Sequence, residues 1–304
     1  FATYGMSRYY ASKVVLVKCK VTRQEVAGTG QEMAKLGVAL IAAQLLGQLV
    51  TYLINSYIST TGSLEDVGFF QAGMGMTYHA VAMIFVAMAA DYYPRLAAVS
   101  NDLKQMNETV NRQGEIVLLI AFPILLFMMV FAPLLIQILL ASEFMVISSF
   151  IRLLCFGMLL KTISYAMGYI SFAKGDRKTY LWLEGGLSNF LQLSLNILGY
   201  TLYGLKGLAV SFVSIYLIYI VVLTIVVIRR YGFSFSHAYL MMIGRTVIFT
   251  VITLAVCTWC SATVVYMAGS VLFALAAGYS LYELNRRIAL IAFLKKFRNG
   301  SGQA

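Results

Sequence analysis

The chain has 304 residues, of which 61% are hydrophobic and only 12% are charged. Soluble domains carry about a quarter of charged residues, so the composition excludes an ordinary soluble protein and predicts a multi-pass membrane protein. The formal net charge of +11 would suggest nucleic-acid binding in a soluble protein. In a membrane protein it must first be compared with the distribution of Lys and Arg among the loops.

The first 34 residues are too polar to cross a bilayer. Their apolar run, residues 14–17, is flanked by lysines and is far shorter than the ~20 residues that a spanning helix needs. We predict a surface segment here, and residues 24–36 are compatible with an interfacial helix.

Eight long apolar runs follow, each bounded by charged or turn residues and each long enough to cross a bilayer. The predicted spans are residues 35–59, 67–90, 115–141, 147–173, 179–203, 207–228, 244–263 and 265–283. The predicted fold class is therefore all-α, a polytopic bundle of about eight transmembrane helices. Pro123 and Pro133 lie in the third span, where each removes a backbone donor and is expected to kink the helix.

Lys and Arg alternate from loop to loop, as the positive-inside rule requires. Twenty of the 23 basic residues fall on one side, Lys206 alone falls on the other, and Arg152 and Lys161 lie within spans. This pattern predicts that both ends of the chain are cytoplasmic, in agreement with an even number of spans. It also explains most of the net charge, so we expect no nucleic-acid partner.

Polar side chains recur at every fourth position in the span that begins at Thr179, and this spacing places them on one helical face. They are Glu184, Ser188, Gln192, Asn196 and Tyr200. The first span carries Gln44, Gln48, Thr51 and Asn55, and the second carries Gln71, Thr77, Tyr78 and His79. Such faces are expected to meet one another or water rather than lipid. Hydrogen bonds that merely hold helices together are the alternative for any single residue, and a packing role is the more ordinary one for His79.

Charged residues inside spans are costly and usually functional. At ~1.5 Å per residue, Lys161 lies ~20 Å along its helix from Lys174, whereas Glu184 lies only ~9 Å beyond Lys178. A direct ion pair between Lys161 and Glu184 is therefore not expected unless a helix is broken.

Arg152 is nine residues from Lys161 and about half a turn out of phase with it. Either the helix deforms and both side chains face one cavity, or Arg152 extends to the lipid headgroups. Lys161 is the principal candidate for binding an anion.

No motif for catalysis or metal binding competes with transport, since we find no Walker A loop, nucleophile elbow, HExxH or pair of catalytic carboxylates. Cys257 and Cys260 have CxxC spacing but lie in an apolar run without a βαβ context, so the four cysteines are expected to be packed thiols. We predict a transporter rather than an enzyme, with no catalytic residue, cofactor or metal.

Four stretches of the sequence are distinctive: residues 67–73 (VGFFQAG), 91–96 (DYYPRL), 168–176 (GYISFAKGD) and 203–209 (YGLKGLA). Together they resemble Wzx-type flippases, which belong to the MATE-like MOP superfamily. The resemblance implies two six-helix lobes around a central cavity, followed by two further helices. Residues 35–228 would be the C-terminal lobe, residues 229–283 the additional pair, residues 1–34 the cytoplasmic segment between lobes, and residues 284–304 a basic cytoplasmic tail. The N-terminal lobe would then be missing, and the chain would be a fragment.

The resemblance further implies a bacterial inner-membrane protein that moves an undecaprenyl-diphosphate-linked oligosaccharide from the cytoplasmic to the periplasmic leaflet, by alternating access, for O-antigen, capsule or exopolysaccharide assembly. For such a substrate we expect the diphosphate to be drawn to Lys161 and, if it faces the cavity, to Arg152. The polar residues expected to contact the substrate are Gln44, Gln48, Asn55, His79, Gln192, Asn196 and Tyr200. Glu184 is expected to bind a coupling ion, H⁺ or Na⁺.

The principal alternative is a MATE-like, cation-coupled multidrug antiporter. Such a protein would be expected to present acidic groups in its cavity, whereas here the basic Lys161 lies deepest. A membrane polymerase or ligase acting on the same glycans would need larger periplasmic loops than this chain has. A purely structural assembly protein would leave the polar stripes unexplained.

Overall fold

The computed structural model describes residues 5–6 and 22–288, and every regular element within them is helical. The predicted all-α fold is confirmed. The helices are α1 (Arg23–Thr61), α2 (Leu64–Ala98), α3 (Leu103–Leu139), α4 (Ser148–Ala173), α5 (Arg177–Tyr180), α6 (Ser188–Tyr231), α7 (His237–Trp259) and α8 (Ala262–Ile288). A 3₁₀ turn, Ser142–Ile147, precedes α4, and a π-helical segment, Leu181–Leu187, joins α5 to α6. Most of the predicted surface segment and basic tail lies outside the described residues.

In the described part of the chain, seven helical stretches are long and apolar enough to cross a membrane. The longest, Arg177–Tyr231, has 55 residues, more than twice the number that one crossing requires. It is interrupted at Gly204, whose φ of 57° is not helical. Beyond this point the Ser211 hydroxyl donates to the Leu195 carbonyl at 2.6 Å. The two limbs of α6 are therefore antiparallel, and the protein is a multi-pass membrane protein with the eight predicted segments.

The two limbs of α6 approach closely because glycines lie where they meet. A methyl group at Gly207 would lie 1.8 Å from the carbonyl oxygen of Gly199, a separation that real carbon and oxygen atoms do not adopt. Small residues are what allow helix backbones in membranes to pack this tightly.

Side-chain caps fix the starts of several helices by accepting hydrogen bonds from backbone N–H groups that have no partner within the helix. Ser63 accepts from the Asp66 N–H and Asp102 from the Gln105 N–H, each at 3.0 Å. Ser236 accepts from the Tyr239 N–H at 3.1 Å. These short polar caps separate long apolar segments into distinct helices.

The core of the bundle lies around α4, which packs against α2, α3, α6 and α7. Both α3 and α4 bury most of their apolar side chains. Helix α3 departs from helical geometry at Phe131, two residues before Pro133, because the proline ring displaces the backbone of the preceding turn. The predicted kink thus occurs near Pro133, and α3 has no non-helical residue near Pro123.

The chain divides into two compact units, residues 1–42 and 43–304, and the second has two distinct ends. At one end, Lys174 Nζ donates to the Ser100 carbonyl at 2.5 Å, and Asn111 donates to the Ser234 carbonyl at 2.9 Å. Most of the Lys and Arg residues that the structure describes in the second unit belong to the loops and helix ends on this side, and we call it the basic end. At the opposite, far end, the Tyr200 hydroxyl donates to Asp66 at 2.7 Å. This arrangement follows the alternation of charged loops in the sequence.

Asp176 ties the start of α5 to the end of α6 at the basic end. Its carboxylate accepts from the Thr179 N–H and hydroxyl, from Arg230 Nε at 2.7 Å, and from the Tyr231 hydroxyl at 2.9 Å. Partial burial acts to raise the pKa of Asp176, but these hydrogen bonds outweigh burial and lower the pKa from 3.8 to about 2. The ionised carboxylate is therefore part of the folded structure.

We expect Gly207→Ala to destabilise the protein by about 1–3 kcal/mol, because the new methyl group forces the limbs of α6 apart. The matched control is Gly244→Ala, where an added methyl group has no atom within 4 Å. The control should unfold at the same or a slightly higher temperature, since Ala is the better helix former. The measurement is thermal unfolding in detergent, and equal losses in both variants would contradict the close contact.

We expect the folded state to lose stability as the pH falls from about 4 to about 2, since a carboxylate with a depressed pKa stabilises the fold above its unfolded pKa and stops doing so once it is protonated. A pKa lowered from 3.8 to about 2 adds about 2 kcal/mol to the free energy of unfolding while the carboxylate is ionised. Asp176→Asn should lack this pH-dependent component. Acid unfolding of both proteins in detergent measures it, and identical pH profiles would refute the assignment.

Candidate functional site

A cavity of about 350 Å³ lies between α1, α2 and the two limbs of α6. Its walls are formed by Thr51, Ile54, Asn55, Phe70, Gln71, Met74, Gln192, Asn196 and Phe212. Three residues predicted to contact substrate, Asn55, Gln192 and Asn196, thus come together from two distant parts of the sequence. Thr51 and Gln71, which belong to the predicted polar stripes, join them.

The polar groups of this cavity are neutral amides and a hydroxyl. The Asn55 side-chain oxygen is buried and has no hydrogen-bond partner. Asn196 donates through its side chain to the Gln192 backbone carbonyl at 2.7 Å, which leaves its side-chain oxygen as an acceptor. Because amides both donate and accept hydrogen bonds, this lining suits a ligand rich in hydroxyl groups.

Lys161 projects from the central helix α4 between two tyrosine rings. Its ammonium nitrogen lies 4.9 Å from the ring centroid of Tyr78 and 5.6 Å from that of Tyr216. Each tyrosine follows a cavity residue by four positions, Tyr78 after Met74 on α2 and Tyr216 after Phe212 on α6. Both stretches run toward the basic end, so Lys161 lies about one helical turn from the cavity in that direction. In the described part of the chain, Lys161 forms no ion pair with a carboxylate.

Glu184 lies in the π-helical segment Leu181–Leu187, and the hydroxyl of Tyr219 donates to its carboxylate. A methyl group at Gly168 would lie 3.6 Å from a carboxylate oxygen of Glu184, so the carboxylate lies against α4. Gly168 is about two turns, or ~10 Å, from Lys161 along that helix. In agreement with the sequence analysis, the two charges form no direct ion pair.

Aromatic rings connect these two charges. The rings of Tyr216 and Tyr219 meet edge to face at 6.4 Å, and Tyr216 faces Lys161 while Tyr219 binds Glu184. We call Lys161, Tyr78, Tyr216, Tyr219 and Glu184 the charged cluster. It lies between the neutral cavity and the basic end.

The predicted polar stripe on α6 is divided between three environments. Gln192 and Asn196 line the cavity, Glu184 binds Tyr219, and Tyr200 binds Asp66 at the far end. A π-helix has more residues per turn than an α-helix, so Glu184 is rotated relative to the regular helix assumed from the sequence. The five residues therefore do not form the one continuous polar face that their spacing predicts.

Several predicted substrate contacts lie outside the cavity. Arg152 donates to the Cys257 carbonyl at 2.6 Å, near the end of α7, and therefore binds protein rather than the cavity. Gln44 and Gln48 are exposed on α1, and His79 is exposed on α2 with its ring 6.0 Å from that of Tyr78. Contact between these exposed side chains and a substrate stays a prediction.

A buried charged group that the sequence analysis missed connects α3 to α8. Arg287 Nε donates to Glu115 at 2.7 Å, and the same guanidinium pairs with Glu283. The Ser236 hydroxyl also lies within 3.4 Å of Glu115. In the sequence, the only local indication of this group is that Glu283 and Arg287 are four residues apart, which places them on one helical face. Among the described residues, no cluster of His, Cys, Asp and Glu could hold a metal ion.

A family model described as "Polysaccharide biosynthesis protein" matches residues 11–149, somewhat less than half of the chain. No protein of curated function matches the chain by sequence.

Two solved structures share the fold. The lipid II flippase MurJ in an inward closed conformation has a TM-score of 0.62 and 13% identity, over 92% of this chain and 59% of MurJ. An outward-facing MATE-family multidrug resistance transporter of the MOP superfamily has a TM-score of 0.55 and 17% identity, over 83% of this chain and 64% of the transporter. The chain thus spans less than two thirds of either protein. The chain therefore has the fold of these two transporters over most of its length, and the family match agrees with the resemblance noted in the sequence.

Proposed function

We propose that this chain is the C-terminal part of a Wzx-type flippase that moves an undecaprenyl-diphosphate-linked oligosaccharide across a bacterial inner membrane for surface polysaccharide assembly. The observation that carries the proposal is a partly buried lysine that forms no ion pair with a described carboxylate and lies beside a neutral, amide-lined cavity. The family match and the fold shared with a lipid II flippase support it.

Lys161 provides the chemistry for the diphosphate. A charged side chain near the centre of a membrane costs about 3 kcal/mol. Two cation–π contacts, each contributing about 0.5–2 kcal/mol, offset a large part of that cost. Lys161 can therefore remain charged without a carboxylate. Its ammonium group retains donors for an anion, and the low dielectric strengthens that attraction.

The amide-lined cavity provides the chemistry for the sugar. A lipid-linked oligosaccharide joins an anionic diphosphate directly to a hydroxyl-rich glycan, so its two parts need adjacent sites of different character. The cavity and Lys161 lie about one helical turn apart on the same helices, which matches that requirement. Asn55, Gln192 and Asn196 would then bind sugar hydroxyls.

Glu184 is the proposed site of the coupling ion, H⁺ or Na⁺. Carboxylates inside membrane segments commonly serve as ion or proton sites, and Glu184 is linked through Tyr219 and Tyr216 to the region of Lys161. Gain or loss of a cation at Glu184 would change the charge that a substrate meets at Lys161. The proposed cycle is alternating access between this lobe and an N-terminal lobe outside this chain, with both ends of the chain cytoplasmic.

A cation-coupled multidrug antiporter is the second candidate, because the MATE-family transporter shares the fold. An antiporter for organic cations would be expected to place carboxylates around its cavity. The residues that line this cavity are neutral. Lys161 lies about one turn beyond it toward the basic end, and Asp66, about one turn toward the far end, is bound by the Tyr200 hydroxyl. The anionic, glycan-bearing substrate fits these groups better.

We expect Lys161→Ala in the complete protein to lower the amount of surface polysaccharide at least about tenfold, which corresponds to ~1.4 kcal/mol of lost anion binding. Lys161→Arg should be milder because the positive charge remains. Lys206→Ala, which removes an exposed lysine at the far end, is the matched control. Polysaccharide and membrane-embedded protein would be quantified in cells that lack the native gene. Normal polysaccharide with Lys161→Ala would refute the role of this lysine.

We expect Glu184→Gln to weaken the dependence of transport on an ion gradient, because the amide cannot gain or lose the proton or balance the sodium charge. Transport by the complete protein in vesicles would be compared with and without a H⁺ or Na⁺ gradient. Glu143→Gln, at an exposed acid beyond α3, serves as the control. Unchanged gradient dependence in the Glu184 variant would exclude it as the coupling site.

A further inference from the structure

A second groove lies at the basic end, away from the cavity and the charged cluster. It has a volume of about 480 Å³ and is formed where the start of α5 and the π-helical segment pack beside the end of α6. Its lining residues are Lys178, Thr179, Trp182, Ile225, Val226, Arg229 and Arg230. Three cations thus surround one groove, and its remaining walls are largely apolar.

Two of these cations have no counter-charge in the described part of the chain. Lys178 and Arg229 are exposed and form no ion pair there. Arg230 is bound through its Nε to Asp176 at 2.7 Å, which leaves the two terminal nitrogens of the guanidinium available. Because Asp176 also accepts from the Tyr231 hydroxyl, the arginine is held by a fixed group. A fork of this kind suits the oxygens of a phosphate.

The apolar side of the groove continues into the membrane-spanning part of α6. Exposed Leu217, Val221 and Ile225 repeat every fourth residue and lead directly to Arg229. Trp182, of which 53% is exposed, lines the groove together with Ile225, and exposed tryptophan is typical of the level of lipid headgroups. An anionic head at the basic residues would therefore have its hydrocarbon chains along this apolar stripe.

We propose that this groove binds the phosphate headgroup of an anionic phospholipid from the surrounding leaflet. The assignment rests on charge complementarity, on the guanidinium held by Asp176 and on the continuous apolar stripe below it. It does not depend on which substrate the protein transports. An acidic protein segment would satisfy the cations but would gain nothing from the stripe, which is why the lipid is the better occupant.

The experiment uses the fluorescence of Trp182 in the complete protein, in which every other tryptophan, including Trp259, is replaced by Phe. The protein is reconstituted in phosphatidylcholine vesicles that contain increasing fractions of brominated phosphatidylglycerol or, separately, brominated phosphatidylcholine. Bromine quenches indole at short range. Each basic residue near anionic lipid contributes a roughly fivefold preference. With the two unpaired cations Lys178 and Arg229, half-maximal quenching should therefore need about 25-fold less of the anionic lipid.

Three double variants distinguish a built site from general surface charge. Lys178→Gln with Arg229→Gln should remove most of the preference, because only Arg230 remains, and Lys178→Arg with Arg229→Lys should retain it. Lys104→Gln with Arg112→Gln removes the same charge at exposed positions of α3 at the basic end, outside the groove, and should leave the preference unchanged. Transport is not measured, so failure here is separate from failure of the proposed flippase activity.

Three outcomes would overturn the proposal. Equal quenching by the two brominated lipids would show that the groove does not select anionic headgroups. Equal loss of preference in the groove and α3 variants would show that only overall surface charge attracts the lipid. Displacement of brominated phosphatidylglycerol by millimolar inorganic phosphate would assign the groove to a soluble anion.

Discussion

The interior of a membrane has no water to hydrate a charged side chain. Among the groups described above, this constraint applies most directly to the ammonium group of Lys161. The rings of Tyr78 and Tyr216 replace part of its hydration and offset a large part of the cost of the charge. A contacting carboxylate would have neutralised the lysine more completely, but it would also have removed its attraction for an anion. The separation of Lys161 from Glu184 therefore preserves a cation that can still bind a ligand.

The same separation depends on local backbone geometry. The π-helical segment places Glu184 against Gly168 and within reach of Tyr219, whereas the regular helix beyond it directs Gln192 and Asn196 toward the cavity. π-Helical turns are frequent at functional sites. They place a side chain where a regular helix would not, at the cost of some local stability. The cost is offset by the packing of α4 against α3 and α6 in the core.

The sequence predicts features that depend on composition and regular periodicity. Eight apolar segments follow from hydropathy, and the meeting of Asn55 with Gln192 and Asn196 follows from polar faces that avoid lipid. Features that depend on irregular geometry or distant contacts could not be predicted. The Glu115–Arg287 pair joins residues 172 positions apart, and the hydrogen bond from Arg152 to a backbone carbonyl carries no sequence signal. Tyr216 and Tyr219 are indistinguishable by sequence from ordinary aromatic residues of an apolar span.

The two limbs of α6 carry complementary parts of the proposed site. The first limb provides Gln192 and Asn196 to the cavity, and the second provides Phe212 to the cavity and Tyr216 to Lys161. Gly199 and Gly207 hold the two limbs in close contact, and the Ser211 hydrogen bond joins them a turn farther along. The glycan and diphosphate groups would therefore meet a surface whose two halves are tied together, so we expect a change in access to come from movement of this surface as a whole rather than from sliding within it.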